Sequence, residues 1–109
     1  MPLIKKPPTG WKFSTITTHP GPVLLEEFLK PLDISQNRLA IDIRVPATRI
    51  GEIVHCRRGV TPETALRLAR YFGTTAEFWL NLQQSYDLSK TRVEEEEQIA
   101  REVNTYASK

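Results

Sequence analysis

The sequence predicts a small all-α protein, and three observations support this prediction. Apolar residues recur three and four positions apart through most of the chain, hydroxyl side chains stand before these runs, and no segment shows the alternation of a strand. The chain has 109 residues, of which 39% are hydrophobic. That is enough for one buried core and leaves no room for a second domain.

The first helix is predicted to begin between Thr18 and Pro22, since proline is tolerated in a first turn. Residues 1–18 precede it as an arm that carries three prolines and three lysines. We expect the helix to end near Pro31 and Asp33. Leu25, Phe28, Leu29 and Leu32 recur on one face of this helix.

Two short helices follow, joined by a tight turn. Ser35 can cap a helix that runs to about Ile43, and Pro46 fits the first turn of the next helix, which extends to His55. Ala40 is small where the two helices must approach each other. The residues at buried spacing are Ile43, Val45, Ile50 and Ile53. This pattern is typical of a helix-turn-helix unit, although an ordinary helical hairpin would also show it.

The second of these helices has an outward face suited to the major groove of DNA. A threonine hydroxyl can donate or accept a hydrogen bond, and an arginine fork can bind guanine or a phosphate, so Thr48 and Arg49 are the best-equipped readers. That face also carries Ala47, Gly51, Glu52 and His55. Arg44 lies in the turn, where a left-handed backbone is usual and a residue other than glycine costs about 1 kcal/mol.

The remaining helices are indicated by their caps. Thr61 and Pro62 begin a helix that Gly73 ends, with Ala65, Leu68, Ala69 and Phe72 as its buried stripe.

Thr75 begins a fifth helix, whose aromatic face of Phe78, Trp79, Leu82 and Tyr86 is core or, in part, a dimer contact. A further helix is expected from Ser89 to about Tyr106, with Ile99, Val103, Tyr106 and Ala107 on one side. Its acidic run, Glu94 to Glu97, is either a solvated face or an attraction for a basic partner.

Charge is unevenly distributed along the chain. Residues 1–60 hold nine Lys or Arg and five Asp or Glu, whereas residues 61–109 hold six and eight. The basic half contains the helix-turn-helix unit. Its cations are Arg38, Arg44, Arg49, Arg57 and Arg58, which suit phosphate contacts that weaken as salt rises, or form a solvated surface.

Several classes of protein are disfavoured. Cys56 is the only cysteine, so we expect neither an intramolecular disulfide nor a thiolate zinc site. No segment has the roughly 20 apolar residues of a membrane span, and no signal peptide is evident, which predicts a cytoplasmic protein. The absence of a glycine-rich phosphate loop or a paired-carboxylate motif favours a binding module without a cofactor or small-molecule substrate over an enzyme.

Four segments together resemble one known family: HPGPVLLEEFLKPLDIS, NRLA, VPATRIGEIVHCRRGVT and ETALRLARYFGTTAEFWLNLQQSYDL. They are similar to the HigA antitoxins, a branch of the Xre-type helix-turn-helix proteins that includes the virulence-associated protein I group. The resemblance covers residues 19–88, and it implies a lambda-repressor-like five-helix core between the arm and a C-terminal helical extension, residues 89–109.

The resemblance also implies a function. Such a protein is expected to homodimerise, to bind an inverted repeat in its own promoter as a repressor, and to neutralise a small basic RelE-like mRNA endonuclease, the HigB-type toxin. A solitary repressor without a toxin, and an interaction module that has lost DNA binding, remain alternatives.

Site residues follow from the matching positions. Gln36 and Arg38 suit phosphate contacts. The expected DNA-binding set is completed by Ala47, Thr48, Arg49, Glu52, His55, Arg57 and Arg58, and the expected dimer contacts are Trp79, Leu82 and Tyr86. Three residues depart from the family: Arg44 and Cys56 replace common glycines, and Gly51 replaces a frequent Asn, which removes a base-reading amide.

Overall fold

The computed structural model describes residues 17–107, so most of the predicted arm, residues 1–16, lies outside the described part. Within residues 17–107 there are five helical segments and no strand, which confirms the all-α prediction. Helix α1 comprises the α-helical turns Pro20–Val23 and Lys30–Leu32, with a π-helical segment, Leu24–Leu29, between them. The others are α2 (Gln36–Ile43), α3 (Ala47–Val54), α4 (Pro62–Phe72) and α5 (Ala76–Glu102).

Helix α1 begins at a histidine cap. The Nδ1 atom of His19 accepts a hydrogen bond from the Gly21 N–H at 2.9 Å, and Pro20 occupies the first helical position. Gly21 lies directly against α3, where an added Cβ would stand 2.0 Å from the carbonyl oxygen of Ile53. The absence of a side chain at Gly21 therefore sets how closely the start of α1 approaches the end of α3.

The helix-turn-helix unit has the predicted caps with small shifts in its bounds. The Ser35 hydroxyl accepts from the Arg38 N–H at 2.9 Å, and Arg44 adopts the left-handed conformation at φ 61° and ψ 47°. Pro46 is the residue before the first turn of α3, and His55 follows its last turn, so α3 is one residue shorter at each end than predicted. The Arg67 guanidinium donates to the Ile43 carbonyl at 3.0 Å and so ties α4 to the turn.

Helix α4 begins and ends as predicted, since the Thr61 hydroxyl accepts from the Thr64 N–H and Gly73 takes a left-handed conformation at φ 75°. Helix α5 is capped by Thr75 and continues for 27 residues, a length of about 40 Å. The helix expected to start at Ser89 is the second half of α5, without a break. The apolar side expected for it is solvent-exposed, with Ile99 at 45% and Val103 at 65%.

The core lies where all five helices meet. Trp79 is completely buried and packs with Phe28 and Phe78, whose ring centroids lie 5.0 Å from its own. The buried aliphatic side chains include Leu24, Leu29, Leu39, Ile43, Val45, Ile50, Ile53 and Leu68. Each contributes about 1.5–3 kcal/mol by leaving water. Since Trp79 has no exposed surface, the structure corrects its assignment as a dimer contact and makes it a core residue.

Candidate nucleic-acid interface

Helix α3 presents one covered face and one open face. Ile50, Ile53 and Val54 are buried against the core, whereas Ala47 and Thr48 are exposed. The α3 segment is held from behind by α1 and α2. The outer face predicted to enter a groove is therefore unobstructed by the described part of the chain.

Two cations of this surface have no ion-pair partner among residues 17–107. Arg49, half-buried on the side of α3, and Arg57, exposed in the following turn, make no salt bridge or side-chain hydrogen bond there. A guanidinium without a protein carboxylate is available to a phosphate or to a guanine edge. The sequence-predicted reader Arg49 and the phosphate-contact candidate Arg57 are therefore both available for such contacts.

Two other predicted residues are engaged with each other. Nε of Arg58 lies 2.7 Å from a carboxylate oxygen of Glu52, and this ion pair links the turn to the side of α3. Nδ1 of His55, an exposed residue, donates to the Gly51 carbonyl at 2.8 Å. The Arg58 guanidinium offsets the negative charge of Glu52, which would otherwise repel a phosphate backbone.

Arg38 is oriented by a network that reaches α4. Nε of Arg38 lies 3.2 Å from an Asp42 carboxylate oxygen, and the same oxygen accepts a hydrogen bond from the Tyr71 hydroxyl at 2.5 Å. This hydrogen bond raises the pKa of Tyr71. The spacing of four residues between Arg38 and Asp42 was readable in the sequence, but Tyr71 is 29 residues from Asp42 and no local signal indicated it.

Gln36 and Gly51 meet across the two helices of the unit. Gln36 is half-buried at the first position of α2, and its Oε1 atom lies 3.8 Å from the place where a Gly51 Cβ would stand. No other atom outside α3 lies within 4 Å of that place among the described residues. The gap left by Gly51 on the face of α3 is therefore bordered by a carboxamide from α2.

The turn after α3 is formed with a second left-handed residue. Cys56 is exposed and has φ 62°, in the left-handed region that favours glycine. The turn places Arg57 and Arg58 beside the C-terminal end of α3. In the described range no three His, Cys, Asp or Glu side chains are grouped as a metal site.

The dimer residues remain predictions for Leu82 and Tyr86. Both side chains are partly buried, and Tyr86 packs edge-on against the His19 ring at a centroid distance of 4.8 Å.

The opposite side of α5 is an open surface that the sequence pattern did not indicate. It is lined by Leu80, Gln83, Gln84, Asp87, Leu88 and Thr91. None of the helices within residues 17–107 is both long and apolar enough to cross a bilayer.

With this geometry in place, comparison with known proteins identifies relatives. The chain is 54% identical over 70 residues to virulence-associated protein I of Dichelobacter nodosus, an alignment that covers 64% of this chain and 65% of that protein. It is 38% identical over 73 residues to antitoxin HigA-1 of Vibrio cholerae, covering 66% and 68%. The chain thus spans slightly less than two thirds of the first of these relatives. No model of a protein family matches the chain.

A solved structure extends the likeness to the fold. Antitoxin HigA of Pseudomonas aeruginosa, determined with the higBA promoter, superposes with a TM-score of 0.79 at 40% identity, over 82% of this chain and 97% of that chain. The matched part of this chain is larger than in the sequence alignments. That neighbour was determined together with promoter DNA.

Proposed function

We propose that this chain, which belongs to the HigA family of antitoxins and related helix-turn-helix regulators, is a DNA-binding antitoxin that represses its own promoter. In this proposal two copies form a dimer and bind an inverted repeat, and the same protein captures a RelE-like mRNA endonuclease of the HigB type. DNA and a protein are its partners, so no catalytic step is assigned to it. A repressor of its own gene acts where the chromosome is, in the bacterial cytoplasm.

The observation that carries the proposal is the open face of α3. Its buried side holds the helix rigidly, while Thr48 is exposed and Arg49 has no protein partner among residues 17–107. A helix fixed from behind with a free arginine on its rim can lie in the major groove and read base edges.

Phosphate contacts would surround this reading head. Arg38, held by Asp42, lies at the start of α2, and Arg57 follows α3 in the turn. In a twofold dimer the two copies of α3 would enter successive major grooves about 34 Å apart on one face of the duplex. Leu82 and Tyr86 are proposed to contribute to the dimer surface.

The test of DNA binding uses the full chain and the duplex upstream of its own gene. Binding is measured by gel shift or fluorescence anisotropy at two salt concentrations, with a scrambled duplex for comparison. We expect Arg49→Ala to weaken operator binding by about 5- to 150-fold. Arg101→Ala removes an equally charged side chain near the far end of α5 and should leave affinity unchanged.

Two results of this experiment would contradict the proposal. Should Arg49→Ala keep both the affinity and the sequence preference of the unaltered chain, Arg49 does not read the operator. Should the unaltered chain bind the upstream duplex no better than the scrambled one, the protein is not a repressor of its own promoter.

Toxin capture is tested by co-expression with the neighbouring gene. A small basic RelE-like protein that copurifies with the chain, and whose mRNA cleavage stops when the chain is added, supports the antitoxin role. If the chain binds its operator but no such protein copurifies, a solitary repressor is the correct function.

A further inference from the structure

Helix α3 lacks a carboxamide of its own for adenine. A bidentate contact to adenine N6 and N7 needs one donor and one acceptor in a plane, which Asn and Gln supply. The outward positions of α3 hold Ala47, Thr48, Gly51 and Glu52, and none of them carries an amide. The Glu52 carboxylate is also occupied by its ion pair with Arg58.

The nearest carboxamide comes from α2. The Oε1 atom of Gln36 lies 3.8 Å from the place that a Gly51 Cβ would occupy, at the fifth of the eight residues of α3. The Gln36 amide makes no hydrogen bond to any group in residues 17–107, and it is half-buried beside the groove-facing surface. Its donor and its acceptor are therefore both unused within this range.

Gly51 makes this placement feasible. An added Cβ at residue 51 would meet Gln36 Oε1 at an ordinary contact distance of 3.8 Å, so a longer side chain there would compete with the Gln36 amide for the space beside α3. With only hydrogen there, the amide can extend over α3 beside Gly51, one turn from the N-terminal residues of the helix, which contact base edges when a recognition helix lies in the groove. The Gln36 amide therefore borders the position on α3 from which a side chain is absent.

From this juxtaposition we propose that Gln36 is a specificity-determining residue, which reads an A·T base pair in each half-site through its side-chain amide instead of contacting a phosphate. The inference rests on the proposed function, because it requires that α3 enter the major groove of an operator. A phosphate contact would hold the protein on any sequence, whereas a base contact discriminates between sequences.

The experiment compares Gln36→Ala with the unaltered chain on a set of operator duplexes, each with one base pair replaced. Asn37→Ala is the matched control, since it removes an exposed carboxamide one residue further along α2. Circular dichroism and thermal unfolding establish that each variant is folded. Affinities are measured by fluorescence anisotropy at one salt concentration.

The expected result is specific to one position. Gln36→Ala should lose about 5- to 150-fold in affinity for the natural operator, and replacing one A·T pair per half-site should then cost it nothing further. Asn37→Ala should keep the discrimination of the unaltered chain. A uniform loss on every duplex, or no loss, would overturn the reading role of Gln36 while leaving operator binding intact. A chain that does not distinguish its operator from scrambled DNA would instead remove the proposed function itself.

Discussion

Replacing Arg44 with glycine should stabilise the protein. The Arg44 backbone is left-handed, at φ 61° and ψ 47°, a conformation that costs a residue with a Cβ about 1–2 kcal/mol. Glycine avoids this cost but adds freedom to the unfolded chain, worth about 0.5–1 kcal/mol. The Arg44 side chain is exposed and has no ion pair within residues 17–107, so little contact is lost. We expect Arg44→Gly to raise the free energy of unfolding by about 0.5–1 kcal/mol.

The gain can be measured by urea unfolding followed by circular dichroism, at one protein concentration because a dimer's stability depends on it. With an m-value of about 1–3 kcal/mol/M, the midpoint should rise by about 0.2–1 M. Asp33→Gly is the matched control, since Asp33 is also left-handed at φ 56°, but a short polar side chain tolerates that conformation better. A lower midpoint for Arg44→Gly, or a larger gain for Asp33→Gly, would refute the assignment of strain to the turn.

Three further outcomes are expected. Gly21→Ala should strongly destabilise the fold in thermal unfolding, because the new Cβ would stand 2.0 Å from the Ile53 carbonyl oxygen; unchanged stability would mean that α1 can shift freely on α3. Leu39→Ala should cost about 2–5 kcal/mol by chemical denaturation, since the side chain is fully buried, and a cost below about 1 kcal/mol would contradict its core position. Burial lowers the pKa of His19 below 6.5 in the folded protein. As pH drops through about 6.5, the unfolded chain therefore binds more protons at this residue than the folded chain does. The free energy of unfolding should fall over this range and level off below the folded pKa. His19→Gln should flatten this dependence, whereas His55→Gln, at an exposed position, should not; equal slopes in all three proteins would exclude His19 as its source.

Most of the fold could be predicted from local sequence. Caps act on N–H groups two or three residues away, so Ser35, Thr61 and Thr75 indicated helix starts that the structure confirms. Gly73 likewise marked an end. The prediction that a separate helix starts at Ser89 was wrong, because α5 continues through this residue into solvent. A change from an apolar to a charged face ends burial without ending a helix.

The candidate site was predicted only in part. Thr48 and Arg49 were identified because they share the helix whose apolar side is readable at helical spacing. The pairing of Glu52 with Arg58 was not predicted, since it depends on the path of the turn at Cys56. For Trp79 the sequence left both the core and a dimer surface open, because an aromatic side chain has the same sequence signature whether it is buried within one chain or between two.

The order of amino acids by itself determined the helices, the turn between α2 and α3 and the basic character of that region, because hydrogen bonding at helix ends and apolar periodicity act over a few residues. Only the tertiary structure decided which side chains meet across the helices. Gln36 lies over the gap at Gly51, Tyr71 reaches Asp42, and Gly21 contacts the Ile53 carbonyl. These contacts join residues 15 to 32 positions apart, and they form only when the shared core brings the helices together.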